Sequence, residues 1–181
     1  MKTQNFIINV ILITATLTMQ QQPIFNFCKA SNIDNWVIID DVVMGGKSNG
    51  TFKIEDTGHG LFYGVISLEN NGGFSSVRYR GKTIYIKGYT KIILRIKGDG
   101  KRYQFRIKET VDYQHSYVNY FTTSGYWQTI EIALADLFPK FRGRTLNIPN
   151  FAGDTITELG FLFGNKKAED FRLLIDTIVL Q

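Results

Sequence analysis

Three short clusters carry the side chains best suited to chemistry. The first is Asp40-Asp41-Val42-Val43-Met44-Gly45-Gly46-Lys47-Ser48, two carboxylates ahead of a glycine pair. Such a loop can offer carboxylate oxygens and free backbone N–H groups to a ligand, or it can be a plain turn that needs two small residues; chemistry alone favours the turn. The second is Glu69-Asn70-Asn71-Gly72-Gly73-Phe74-Ser75-Ser76-Val77-Arg78. Asn and Gly in succession suit left-handed turn geometry between strands, and the same amides, with Arg78, could hydrogen-bond a sugar or a peptide. In the third, Phe141-Arg142-Gly143-Arg144, two cations flank a glycine just after Pro139. Solvated charge is the usual reading of such a turn, and an acidic partner is the sharper one.

Other chemistries lack their residue sets. There is no GxxxxGK[ST] or GxGxxG loop, no HExxH, no GxSxG elbow and no EF-hand loop. One cysteine, Cys28, forbids an internal disulfide and, with only His59 and His115, makes a zinc, iron–sulfur or histidine-built metal site improbable. No cofactor and no metal are expected. Asp40, Asp41, Glu69, Asp99 and Asp176 could pair for acid–base work, but nothing singles out a pair and no catalytic residue is predicted.

The elements that must position these clusters read as strands. Composition sets the frame: 181 residues, 44% hydrophobic and only 3 Pro, enough for one compact domain and wrong for a disordered or collagenous chain. The formal charge of +5 comes from cations scattered singly, so it does not imply nucleic acid. From Trp36 onward apolar residues alternate between Gly, Asn and Asp punctuation, which predicts an antiparallel all-β sandwich or barrel. Strands are expected at Leu61 to Leu68, Phe74 to Arg80, Ser116 to Thr122, Trp127 to Leu134, Thr155 to Phe163 and Phe171 to Leu180, with shorter ones at Trp36 to Asp40 and Thr51 to Glu55. Lys91 to Lys97 and Arg102 to Lys108 read as a hairpin closed by Gly98-Asp99-Gly100, with Tyr103, Phe105 and Ile107 on one side and Gln104, Arg106 and Lys108 on the other. Around Ala133 to Phe138 at most a short helical turn fits.

Trp36, Trp127, Tyr103, Phe105, Phe161 and Phe163 occupy alternating strand positions and read as core. Tyr113, Tyr117, Tyr120 and Tyr126 cluster in a polar connecting region and would stack on sugar rings if they lined one exposed face. Asn49-Gly50-Thr51 has the form of a glycosylation acceptor. At the front, Lys2 precedes the apolar run Phe6 to Met19, too short for a membrane span, so residues 1–30 read as a secretory leader cut after Ala30, and 31–181 as the domain. That reading implies export and no membrane span after leader removal.

Taken in order, DDVVMGGKSNG, FYGVISLENNGGFSSVR, KGDGKRYQFRIK, YFTTSGYWQTIEIALADLFPKFRGR and ELGFLF resemble the complex I intermediate-associated protein 30 family, from Trp36 to Leu180. The resemblance implies a jelly-roll β-sandwich of the galactose-binding-like class and a non-enzymatic, chaperone-like role in assembling respiratory complex I. Family positions match Asp41, Met44, Gly45, Gly46 and Ser48 in the first loop and Asn70, Asn71, Gly72, Gly73, Phe74 and Arg78 in the second. They also match Gly98, Asp99, Gly100 and Tyr103, then Trp127, and finally Phe141, Arg142, Gly143 and Arg144. The expected partner is a protein held by the glycine-rich loops; the alternative is a glycan held by an exported carbohydrate-binding module.

Overall fold

A computed structural model describes residues 20–181. The apolar run of the expected leader, Phe6 to Met19, lies outside the described residues. In chain order the strands are β1 Gln22–Asn26, β2 Trp36–Asp40, β3 Asn49–Ile54, β4 Gly60–Ile66, β5 Ser75–Tyr79, β6 Ile84–Tyr85, β7 Lys91–Lys97 and β8 Arg102–Lys108. They continue with β9 Ser116–Thr122, β10 Gln128–Ala133, β11 Phe138–Phe141, β12 Arg144–Thr145, β13 Thr155–Ile156, β14 Glu158–Phe163 and β15 Glu169–Leu180. Three 3-10 turns, Asp41–Met44, Glu69–Asn71 and Leu134–Asp136, are the helical elements among the described residues. The last falls where a short helical turn was expected.

Two antiparallel sheets face each other. One runs β10-β7-β15-β4-β3, with β1 added alongside β15; the other runs β12-β11-β9-β8-β14-β5-β2. The alternation read from the sequence puts Phe62 and Ile66, and Ile92, Leu94 and Ile96, inward from the first sheet. Tyr103, Phe105, Phe161 and Phe163 meet them from the second, all buried. The architecture is the jelly-roll β-sandwich that the residues and the resemblance implied.

The hairpin expected between Lys91–Lys97 and Arg102–Lys108 does not form. β7 bonds β10 and β15 in one sheet, whereas β8 bonds β9 and β14 in the other. Alternation fixes which face a residue occupies but not which strand lies beside it, and these two strands fill the core from opposite sides. Gly98 to Lys101 therefore crosses between sheets, and Thr123 locks the corner by accepting from Gly100 N at 3.0 Å and donating to the Lys101 carbonyl at 2.9 Å. The expected strand Thr155 to Phe163 is likewise split, because Thr157 turns its N–H to the Lys108 carbonyl at 2.9 Å.

The folded body also takes in residues on the near side of the expected boundary at 31. β1 pairs with the last turn of β15, Gln22 opposite Leu180 and Asn26 opposite Thr177. Phe27 is buried, and its N–H donates to the Asp176 carbonyl at 2.9 Å. Phe25 and Phe27 complete an aromatic cluster with Trp36, Phe52 and Tyr79.

Candidate functional site

The first two glycine-rich loops meet, and Asp41 joins them. Its side chain is fully buried and accepts from Ser48 N (3.0 Å) and Ser48 Oγ (2.5 Å), then from Gly73 N (2.5 Å) and Phe74 N (3.2 Å) across the loop boundary. Burial opposes ionisation, but these four donors outweigh it and hold the carboxyl below the usual carboxylate range. Gly46 and Gly72 are needed here for closeness: a Cβ would stand 2.3 Å from Asp41 Oδ1 at the first and 2.6 Å from Oδ2 at the second. Asn70 donates to the Gly45 carbonyl at 2.9 Å, and Met44 ends the 3-10 turn. Nine of the candidate residues thus gather at one bracket whose polar groups are spent on each other.

Asp99 and Tyr103 form a second internal bracket at the crossing between sheets. The fully buried Tyr103 donates its hydroxyl to Asp99 at 2.9 Å and accepts Arg172 N at 3.1 Å. Burial first, then the Asp99 carboxylate, push that phenol far above its ordinary range. Trp127 lies elsewhere, its ring 4.6 Å from His59 and under Arg95. The carboxylates considered for acid–base work are each engaged: Asp40 accepts Gly50 N, Glu69 pairs with Lys47, and Asp176 with Arg95. Among the described residues no three metal-ligating side chains cluster, and no helix is long and apolar enough to cross a membrane.

Arg78 points a different way. Pairing registers set Arg78 of β5 opposite Gly160 of β14, and Gly160 opposite Arg106 of β8. All three face away from the core, because Val77, Phe105 and Phe161 beside them face into it. Gly160 has no room for a side chain, since a Cβ would stand 2.1 Å from the Val77 carbonyl oxygen. On this face opens a cleft of about 430 Å³ whose wall includes Arg78 and Arg106 together with Phe74, Lys108, Lys140 and Arg142. That is the size of a small-ligand site. Arg142 and Gly143 both have positive φ, 46° and 81°, at the hairpin tip that forms one rim. Arg144 follows, exposed, in β12 and does not line the cleft.

The cleft holds a surplus of positive charge. Glu158 is buried and serves two cations, Arg80 Nε at 2.7 Å and Arg78 Nη1 at 3.4 Å. No carboxylate among the described residues pairs with Arg106, Lys108, Lys140 or Arg142; Lys108 donates to the Tyr113 carbonyl and Lys140 to Tyr120 Oη at 2.7 Å. Burial and the neighbouring Arg78 bring the Arg106 guanidinium down to about 10. Burial, then Arg78, Arg80 and Arg106, pull the Lys108 ammonium down against the attraction of Glu158. Arg106, Lys108 and Lys140 were not among the candidate site residues. Their signal was present, since Gln104, Arg106 and Lys108 form the polar side of one strand, but only the sheet order brings Arg78 and Lys140 to them.

The four tyrosines do not line one exposed face. Tyr113 stacks on His115, Tyr117 packs on Phe151, and Tyr120 lies between Arg102 and Lys140. Tyr126 stands exposed on the connection ahead of β10.

Fold and site together define a galactose-binding-like jelly roll with a cationic cleft on the outer face of one sheet. The solved structure of a family 11 carbohydrate-binding module from a Clostridium thermocellum cellulosomal cellulase has the same fold, with a TM-score of 0.67, 19% identity, and 90% of this chain and 94% of that one covered. The family model for complex I intermediate-associated protein 30 matches residues 25–175, and the chain belongs to that family. It is 23% identical to the mitochondrial complex I intermediate-associated protein 30 of Mus musculus and 25% identical to that of Drosophila melanogaster, over 88% and 87% of its own length. The chain spans 56% and 62% of those two proteins.

Proposed function

We propose that this chain is a non-catalytic docking domain that holds a protein partner against the outer face of its seven-stranded sheet, and that it serves complex I assembly, a reading supported by relatives named as complex I intermediate-associated proteins. The observation that carries the reading is the charge surplus around Gly160, with Arg106 and Lys108 partly desolvated and unpaired by carboxylate. Unneutralised cations on a rigid sheet cost stability and steer a complementary surface. The glycine-rich loops are better suited to holding the sandwich end together, because Asp41 consumes their donors. Depletion tests the role: complex I intermediates should accumulate on native gels and return to normal with the wild-type chain. Unaltered assembly in depleted cells rejects it.

A carbohydrate-binding module is the second reading, favoured by the polar wall of the cleft, where Gln104, Gln114 and Ser116 stand beside the cations. The dispersal of the four tyrosines weighs against neutral sugars, which a shallow site holds by stacking. A glycan array decides it, with binding lost on substituting Gln104 as the supporting result. The secretory reading of the leader would have the chain exported, whereas its relatives are named as mitochondrial, and subcellular fractionation distinguishes the two locations.

A further inference from the structure

The docking reading leaves the chemistry of the partner open, and the spacing of the cleft's cations restricts it. Neighbouring strands lie about 4.8 Å apart. Arg78 on β5 and Arg106 on β8 are separated by one strand, β14, and Arg106 and Lys140 on β11 are separated by one strand, β9. The backbone positions of Arg78 and Arg106 are therefore roughly 10 Å apart across the sheet. The step from Arg106 to Lys140 also moves two residues along the strands, since Lys140 pairs with Ser116 and Arg106 with Val118, which makes it about 12 Å between backbone positions, a difference that long cationic side chains can span. A peptide in the polyproline II conformation advances about 3.1 Å per residue with three residues per turn, so side chains three apart project on one side at about 9.3 Å.

Resting on the docking reading, we propose that the cleft binds an acidic peptide segment of the protein partner, extended across the strands, with carboxylates at every third residue meeting Arg78, Arg106 and Lys140. Because Gly160 is the residue between Arg78 and Arg106 in register, no side chain of β14 stands between these two cations, and the segment can pass from one to the other over bare backbone. Guanidinium groups take carboxylates bidentately, and Arg106 has no competing carboxylate among the described residues. Arg78 shares Glu158 with Arg80, which leaves it free donors. The lowered values of Arg106 and Lys108 agree with a field that an incoming anion relieves.

The test is fluorescence anisotropy on the full chain with labelled peptides of about nine residues, one with Glu at every third position, one of the same composition with its Glu contiguous, and one with Gln in place of Glu. Oligogalacturonate and inorganic phosphate serve as competitors. The spaced peptide should bind tightest, the Gln peptide should not bind, and affinity should fall steeply as salt rises. Arg106→Gln and Lys140→Gln should each weaken binding about three- to tenfold while the chain still melts cooperatively. Arg142→Gln, at the exposed hairpin tip, supplies a variant with no role in the sheet, and a loss of about threefold is expected there.

Equal binding of the spaced and contiguous peptides overturns the proposal, as does binding indifferent to the three substitutions. Tighter binding of oligogalacturonate than of any peptide makes the cleft a site for acidic sugars and overturns it too. Full displacement by millimolar phosphate, or no peptide binding at all, reduces the cleft to a simple ion site or none. Each of these leaves the docking reading standing if depletion still stalls complex I assembly, and only normal assembly removes both.

Discussion

Replacing Phe27 with Ala should remove a large part of the domain's stability, because this residue sits ahead of the expected boundary yet within the core. Its ring is 5% exposed, 5.2 Å from Phe25, 5.7 Å from Trp36 and 6.0 Å from Phe52. Gly60 faces it so closely that a Cβ there would touch the ring at 3.2 Å. Truncating a buried Phe costs about 3–5 kcal/mol, against a total stability of roughly 5–15 kcal/mol for a domain. With a urea slope of about 2 kcal/mol per molar, the midpoint should fall by about 2 M. Tryptophan fluorescence reads the change, since Trp36 lies in the affected cluster. Asn26→Ala, an exposed neighbour on β1, is the control and should shift the midpoint by less than about 0.3 M. A chain beginning at 31 loses β1 and Phe27 together and should show no cooperative transition, whereas one beginning at 20 keeps both and should show one. If the chain beginning at 31 unfolds at the same midpoint, the packing argument is wrong. N-terminal sequencing adds a check in cells: a processed, folded form should begin no later than Gln22.

Other substitutions probe the brackets and the strand between the cleft's two arginines. Asp41→Asn replaces a carboxylate serving four donors with a group that turns an NH2 toward some of them, and should cost about 3 kcal/mol at neutral pH. Because the folded pKa of Asp41 lies below its unfolded value of about 3.9, the stabilisation is fully present above that value and is lost as pH falls through the folded one. Urea midpoints of wild type and variant should therefore converge only on acidification below about pH 4, and a constant gap down to pH 2 would contradict the assignment. Tyr103→Phe keeps the buried ring but strips a donor from Asp99 and an acceptor from Arg172 N, for a loss of about 1–2 kcal/mol by calorimetry. Gly160→Ala drives a Cβ against the Val77 carbonyl and should cost about 3 kcal/mol while weakening acidic-peptide binding; a neutral effect on both would show the backbones of β5 and β14 to be yielding there.

The fold was legible where a single period carried the information. β8 alternates Tyr103, Phe105 and Ile107 with Gln104, Arg106 and Lys108, and those sides are core and cleft in the structure. Pairing was not legible, because strands with the same period can be neighbours or can face each other across the core, as β7 and β8 do. β1 escaped notice because Gln22 to Asn26 holds a proline and follows an apolar run that reads as a leader. Pro23 is tolerated there because β1 is added at the side of β15 and lacks a second neighbour. For the candidate site, the glycine pairs read as a ligand loop or a plain turn, and in the structure Gly46 and Gly72 leave room for the side chain of the buried Asp41.

The difference between bracket and cleft follows from how each treats its charge. At Asp41 a single buried carboxylate meets four donors, so the local arrangement is consistent with stability alone. Around Gly160, three cations drawn from β5 and β8 crowd one buried carboxylate, and burial lowers the pKa of each. A sheet that needed only solubility could spread those charges over its exposed face, with both signs interspersed. Keeping them together, half-buried and short of counter-charge, makes sense when an anion from outside completes the set.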